Sequence, residues 1–371
     1  MRVLHVTSGN MYGGVETFLT TLARESTATP DMYTGFAVCF EGRFSAELTS
    51  LGGTPHVLGP VRISRPHTLI RARSALTQLL RQTPFDVVVC HQPWSFVAFG
   101  SAARRVGLPV VLWIHTASEG RHWLDRLARW GRPDLTICNS RFTAARLATW
   151  LSSSNVEPVY CPVSVPPTTG DVAQRLEVRR ALGAHVDEVV IVQVSRLEGM
   201  KGQHVLISAL STLRDLDGWT CWFVGGAQRP AEAAYMRELQ ALADQHGIAD
   251  RVKFLGERSD VPALLRAADV FCQPNTAPEG FGLSMIEAMH AGLPVVTSAI
   301  GGACEIVDDS CGLLTPPGDA LALSAALKSL IVDRDRRLSL GAAALRRPDA
   351  LCHPVRQMRR IHHVLSTIAA A

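Results

Sequence analysis

The strongest constraint on the fold is an alternation. Short β-branched apolar runs, bounded by turn residues, are separated by stretches with apolar residues every three or four positions, and this happens in both halves of the chain. In the first half VLHVTSG (3–9), DVVVCHQP (86–93) and PVVLWIHT (109–116) read as buried parallel strands. Helices are expected over 15–25, 69–80 and 142–151. In the second half, strands at 189–196, 220–226, 252–256, 269–274 and 294–298 alternate with helices at 203–213, 231–246, 261–267 and 283–291. This pattern predicts α/β architecture with two Rossmann-like doubly wound parallel sheets. The length of 371 residues suits two domains. The Pro/Thr-rich stretch 162–171 reads as their linker, so the expected domains are 1–165 and 166–354. Two such domains would face each other across a cleft at their strand C-terminal ends, where open α/β sheets bind ligands.

Charge narrows the partners. Lys+Arg is 37 and Asp+Glu is 33, too mild a balance for a nucleic-acid binder. The first 165 residues hold 16 Arg and 10 acids, and the remainder 21 basic and 23 acidic residues, so an anionic partner belongs with the first half. Only Lys201, Lys253 and Lys328 are lysines. No apolar run reaches the 18 or so residues of a membrane span, and the N-terminal stretch MRVLHVTSG lacks a signal peptide's features. Nine scattered cysteines without CxxC or zinc spacing read as reduced residues of a cytoplasmic protein.

The most informative segment is PNTAPEGFGLSMIEAMHAGLPVV (274–296). A strand ends at Pro274, a glycine-containing loop follows, and a helix begins near Leu283. Gly280 and Gly282 permit close backbone approach, and unpaired N–H groups at a helix start suit a phosphate. Glu279 and Glu287 would repel a phosphate, so they are better placed to accept hydrogen bonds from sugar or ribose hydroxyls.

EGFGLSMIE resembles the Glu-x7-Glu signature of family 4 glycosyltransferases, which are retaining enzymes of the GT-B fold. Other segments similar to that family are GGVE (13–16), VSRLEGMKG (194–202), FVGG (223–226), VKFLGERSDVPALLRAADVF (252–271) and GLLTPPGD (312–319). The resemblance implies an N-terminal acceptor-binding domain, a C-terminal nucleotide-sugar-binding domain, and a last helix over about 355–369 returning to the first. It implies Arg196 and Lys201 on the donor diphosphate, Glu279 on the donor sugar, and Glu287 on the ribose. The backbone of Gly280, Phe281, Gly282 and Leu283 would hold phosphate and sugar, and Gly13 and Gly14 would let the first loop approach the reaction centre. His115 would support the transition state, and Arg258 would lie at the nucleobase. Two cations near a strand end can neutralise a leaving diphosphate without a metal, so no metal or cofactor is expected. Ser195 replaces the family's usual glycine before Arg196.

Some signals compete. Asp215 and Asp217 form a DxD match, but in a turn before a strand, and are set aside as metal ligands. Glu16 is read as a helix N-terminal dipole partner, and His5 as structural. Asn139, Ser140 and Arg141 either border the cleft or cap a helix through Ser140. In GRHWLDRLARWGR (120–132), Trp123, Leu127 and Trp130 share a helical face flanked by arginines, which suits either an anionic membrane surface or packing on the domain. Trp94 and Trp113 could stack on a sugar or fill the core.

The expected function is hexosyl transfer from a nucleotide sugar, a UDP-sugar before GDP-mannose, to an acceptor hydroxyl of a glycan, lipid-linked saccharide or natural product. A sugar-nucleotide epimerase of the same fold and a non-catalytic nucleotide-sugar-binding module are the alternatives.

Overall fold

The computed structural model describes residues 1–151, 155–164 and 172–370, so positions 165–171 of the expected linker lie outside the described residues. The chain divides into two compact units, Met1–Ser164 with Cys352–Ala371, and Val165–Leu351.

The first unit holds seven strands: β1 Arg2–Thr7, β2 Tyr33–Val38, β3 His56–Val57, β4 Val87–His91, β5 Val110–Ile114, β6 Leu135–Cys138 and β7 Val156–Pro158. They lie in the order β3-β2-β1-β4-β5-β6-β7, and every pairing is parallel. The second unit holds β8 Val189–Val194, β9 Trp219–Val224, β10 Val252–Phe254, β11 Val270–Gln273, β12 Val295–Ser298 and β13 Gly312–Thr315, in the order β10-β9-β8-β11-β12-β13, again all parallel. Both are doubly wound sheets whose order reverses once, between β1 and β4 in the first and between β8 and β11 in the second. Central strands such as VVVCH and VVIVQV are buried on both faces, which is why they are largely apolar rather than alternating.

Several boundaries shift. Gln92 and Pro93, read as strand, open the helix Gln92–Arg104, because Pro suits the first helical turn. His115 lies one residue beyond β5. The helix expected over 142–151 is Arg141–Ala148, with Ser140 as its N-cap accepting from the Thr143 N–H at 3.0 Å. The C-terminal helix Pro354–Ala369 belongs to the first unit. Val163 N–H donates to Cys352 O at 3.1 Å, and Arg360 pairs with Glu157 at 2.9 Å.

A buried ion-pair network anchors the N-terminal end of β11. Asp269 receives Arg175 at 2.7 Å and the fully buried Arg179 at 2.9 Å, both from the helix Val172–Ala181. Lys253 is also structural: its ammonium donates to the carbonyls of Leu182 and Gly183 at the end of that helix, where a cation complements the dipole.

Candidate functional site

The second unit gathers its candidate side chains where its strand order reverses. The loop after β8 carries Arg196 and Lys201, and the loop after β11 carries Glu279. Lys201 Nζ lies 2.5 Å from Glu279 Oε1. The other carboxylate oxygen accepts from Gln273 Nε2 at 2.9 Å and Asn275 Nδ2 at 3.0 Å. Burial pushes the Glu279 carboxyl up, but the Lys201 ammonium and the two amide donors outweigh it and hold the group below its ordinary value.

Two buried glutamines hold the β8 loop. Gln193 Nε2 donates to the Lys201 carbonyl at 2.7 Å, and Gln203 Nε2 donates to the Arg196 carbonyl at 2.8 Å. Gly202 adopts φ +72°, and a Cβ there would meet the Pro274 carbonyl oxygen at 1.8 Å. The loop therefore rests directly on the end of β11, and only glycine fits. Arg196 is partly exposed and pairs with Glu198 at 3.0 Å.

The helix Leu283–His290 starts at Gly282, φ +119°, and presents its N-terminus at the same end of the sheet. Phe281 is buried, so its side chain belongs to the core. Glu287 lies in this helix, and its carboxylate has no partner among the described residues; burial pushes it up to about 7. Arg258 makes a two-point ion pair with Asp260, at 2.8 and 2.6 Å, leaving the guanidinium plane as its remaining contact surface. Asp215 and Asp217 precede β9, at the opposite end of the sheet, and Asp217 pairs with Arg251 at 3.1 Å.

In the first unit Gly13 and Gly14 follow β1, and the Gly13 N–H already donates to Glu16 Oε2 at 3.1 Å, a capping bond of the helix Gly14–Arg24. His115 is half-buried beyond β5, stacked on Trp113 at 5.9 Å between ring centroids, with Phe18 at 5.1 Å. Trp113 is fully buried, which assigns it to the core. Asn139 Nδ2 donates to the His115 carbonyl at 3.0 Å. A pocket of about 390 Å³ opens beside these strand ends, lined among others by Gln92, Trp94, Ser118, Arg121 and His122. Gln92 holds φ +71°, a strained backbone for a non-glycine residue, directly after β4. The helix Trp123–Trp130 turns its aromatic stripe outward: Trp123 is 49%, Leu127 36% and Trp130 77% exposed. Trp130 is thus mostly free of the domain, while Trp123 and Leu127 are partly covered.

Residues 12–165 match the model described as Glycosyltransferase Family 4, and residues 174–347 the model described as Glycosyl transferases group 1. The chain belongs to glycosyltransferase family 4. Within the solved structures, this family 4 chain superposes on HepE from Anabaena, crystallised with UDP and glucose, with a TM-score of 0.88, 25% identity and 99% of both chains covered. It shares its GT-B fold with WaaG, a glycosyltransferase involved in lipopolysaccharide biosynthesis, at a TM-score of 0.72 and 18% identity, covering 98% of this chain and 99% of that one. A D-inositol 3-phosphate glycosyltransferase of Xylanimonas cellulosilytica is 38% identical over 48% of this chain and 42% of its own length. A GDP-mannose-dependent phosphatidylinositol monomannoside mannosyltransferase of Mycobacterium tuberculosis is 32% identical over 57% of this chain and 56% of its own. The chain spans about half the length of these curated relatives.

Sequence reading missed Gln193, Gln203, Gln273, Gln92 and His91. Gln193 and Gln273 had a signal: an amide inside an otherwise apolar strand must find partners there.

Proposed function

We propose that this protein is a retaining glycosyltransferase that moves a hexosyl unit from a nucleotide sugar, a UDP-sugar before GDP-mannose, to an acceptor hydroxyl. The carrying observation is the Lys201–Glu279 pair where the second sheet reverses its order, with the unpartnered Glu287 carboxylate in the adjoining helix. A cation and two carboxylates at the end of a doubly wound sheet where such folds bind ligands suit a diphosphate and sugar or ribose hydroxyls. HepE's complex with UDP and glucose supports the UDP-sugar, and the mannosyltransferase relative keeps GDP-mannose second.

In the reaction the acceptor oxygen bonds to the anomeric carbon on the face from which the diphosphate leaves. The acceptor proton passes to a departing phosphate oxygen. Lys201, Arg196 and the backbone N–H groups at Gly282 and Leu283 stabilise the charge that builds on the leaving group, with no metal invoked. Glu287 accepts from ribose hydroxyls and Glu279 from the sugar. By the family resemblance, His115 attends the transferring sugar.

For the acceptor, the pocket around Gln92, Trp94 and Arg121 offers an aromatic face and a cation. The outward Trp123, Leu127 and Trp130, flanked by Arg121, Arg126, Arg129 and Arg132, suit the inner face of an anionic membrane and a lipid-linked acceptor. The transfer assay that tests the reading compares wild type with Lys201→Ala and Glu279→Ala across donor and acceptor panels. Full activity in both variants would overturn it.

A further inference from the structure

Three histidines from three neighbouring strands of the first unit form one hydrogen-bonded row. His5 Nδ1 lies 2.9 Å from His91 Nε2, and His91 Nδ1 lies 2.9 Å from His115 Nε2. His5 in β1 lies opposite Val89 and His91, ending β4, lies opposite Trp113, so each next histidine sits two residues further along on the same face, His115 just past β5. The rings lie edge to edge, 26° and 30° from parallel, with centroids 5.1 and 5.2 Å apart. His5 and His91 are buried, and Phe36 lies against His5 on the far side at 5.8 Å.

Burial keeps all three rings neutral, His5 and His115 down to about 3 and His91 well below its ordinary value. A neutral imidazole carries one N–H and one lone pair. Each of the two contacts must then join an N–H to a lone pair, and fixing one ring's proton fixes the others. Only two arrangements exist. In one, the outermost proton sits on His5 Nε2; in the other, on His115 Nδ1. His5 Nε2 is buried and has no partner among the described residues. An orphaned buried N–H is rarer than an unfilled acceptor, so a lone pair belongs there.

We infer that His5 and His91 are positioning residues that lock His115 in its Nδ1–H form, so that it meets its ligand as a hydrogen-bond donor and not as a base. The row runs one way: His5 Nδ1–H donates to His91, His91 Nδ1–H donates to His115 Nε2, and His115 Nδ1–H is left for a ligand oxygen. No described protein group takes that nitrogen. A donor there suits a sugar hydroxyl oxygen, an assignment that rests on the transferase reading; the tautomer itself does not. It leaves the acceptor's proton to the departing phosphate.

The test is long-range ¹H–¹⁵N correlation on the full chain labelled at histidine nitrogen, with His115 assigned by its absence in His115→Asn. The expected spectrum shows His115 protonated at Nδ1 and bare at Nε2. His91→Asn, whose amide can still donate to His115 Nε2, keeps that pattern, whereas His91→Phe loses it and gives His115 mixed tautomers. A wild-type His115 protonated at Nε2, or a pattern unchanged in His91→Phe, overturns the inference. Both readouts are independent of whether any sugar is transferred.

Discussion

Lys201 and Glu279 meet at 2.5 Å across the point where the strand order of the second sheet reverses. The pair is largely sheltered from water, and the Lys201 ammonium helps hold the Glu279 carboxyl below its ordinary value there. Replacing Lys201 by Ala leaves Glu279 with amide donors only. We expect a stability loss of about 1–3 kcal/mol by urea unfolding, typical of a sheltered charged hydrogen bond. Transfer should fall at least about 100-fold, the scale of losing one preorganised charge-stabilising donor. Lys201→Arg should not restore activity, because a planar fork does not replace a compact ammonium in this space.

Glu287 makes stability depend on pH. Its carboxyl is raised to about 7 by burial. The contribution is therefore fully present below the unfolded value near 4.5 and is lost as pH rises through about 7. Wild type should lose up to about 3 kcal/mol relative to Glu287→Gln between pH 4.5 and 8. Unfolding curves for both proteins across that range check it. If ribose hydroxyls donate to the ionised carboxylate, UDP binding at pH 6.5 should release a proton. Calorimetry in two buffers of different ionisation enthalpy would detect that release in wild type and not in Glu287→Gln.

Gly202 should tolerate no side chain. Gly202→Ala combines a left-handed backbone with a Cβ driven into the Pro274 carbonyl, so the loop carrying Lys201 must move. We expect a loss of about 2 kcal/mol or more in chemical unfolding, and loss of nucleotide binding even where the unit remains folded.

The outward helix Trp123–Trp130 should bind anionic membranes. Wild type should co-sediment with phosphatidylglycerol vesicles and not with phosphatidylcholine vesicles, and Trp130→Ala with Leu127→Glu should abolish it. Binding should weaken with salt, since part of it is screened charge.

The alternation of central strands and helices was legible because β1, β4, β5, β8, β9, β11 and β12 are largely buried on both faces and written mostly in β-branched, aromatic and other apolar residues. The outer strands were harder. β3 has two residues and β7 three, too few to carry a period, and β2 is interrupted by Gly35. In the site, Lys201, Glu279 and Glu287 sit inside a contiguous motif that can be read in one dimension. His91 cannot be read that way: it meets His5, 86 positions earlier, only because β1 and β4 pair in register. The outward stripe of Trp123 and Trp130 was visible as periodicity, but which side it faces depends on packing elsewhere.

On the proposed function, the end of the second sheet binds a nucleotide sugar through Lys201, Glu279 and Glu287. The most direct measurement is a thermal-shift titration of wild type, Lys201→Ala and Glu287→Gln with UDP, UDP-glucose and GDP-mannose, since a ligand bound only to the folded state raises the melting temperature by mass action. The account predicts a saturable rise in wild type with UDP and UDP-glucose, smaller with GDP-mannose, and much reduced in both variants. No rise with any of the three, or an equal rise in wild type and Lys201→Ala, would contradict it.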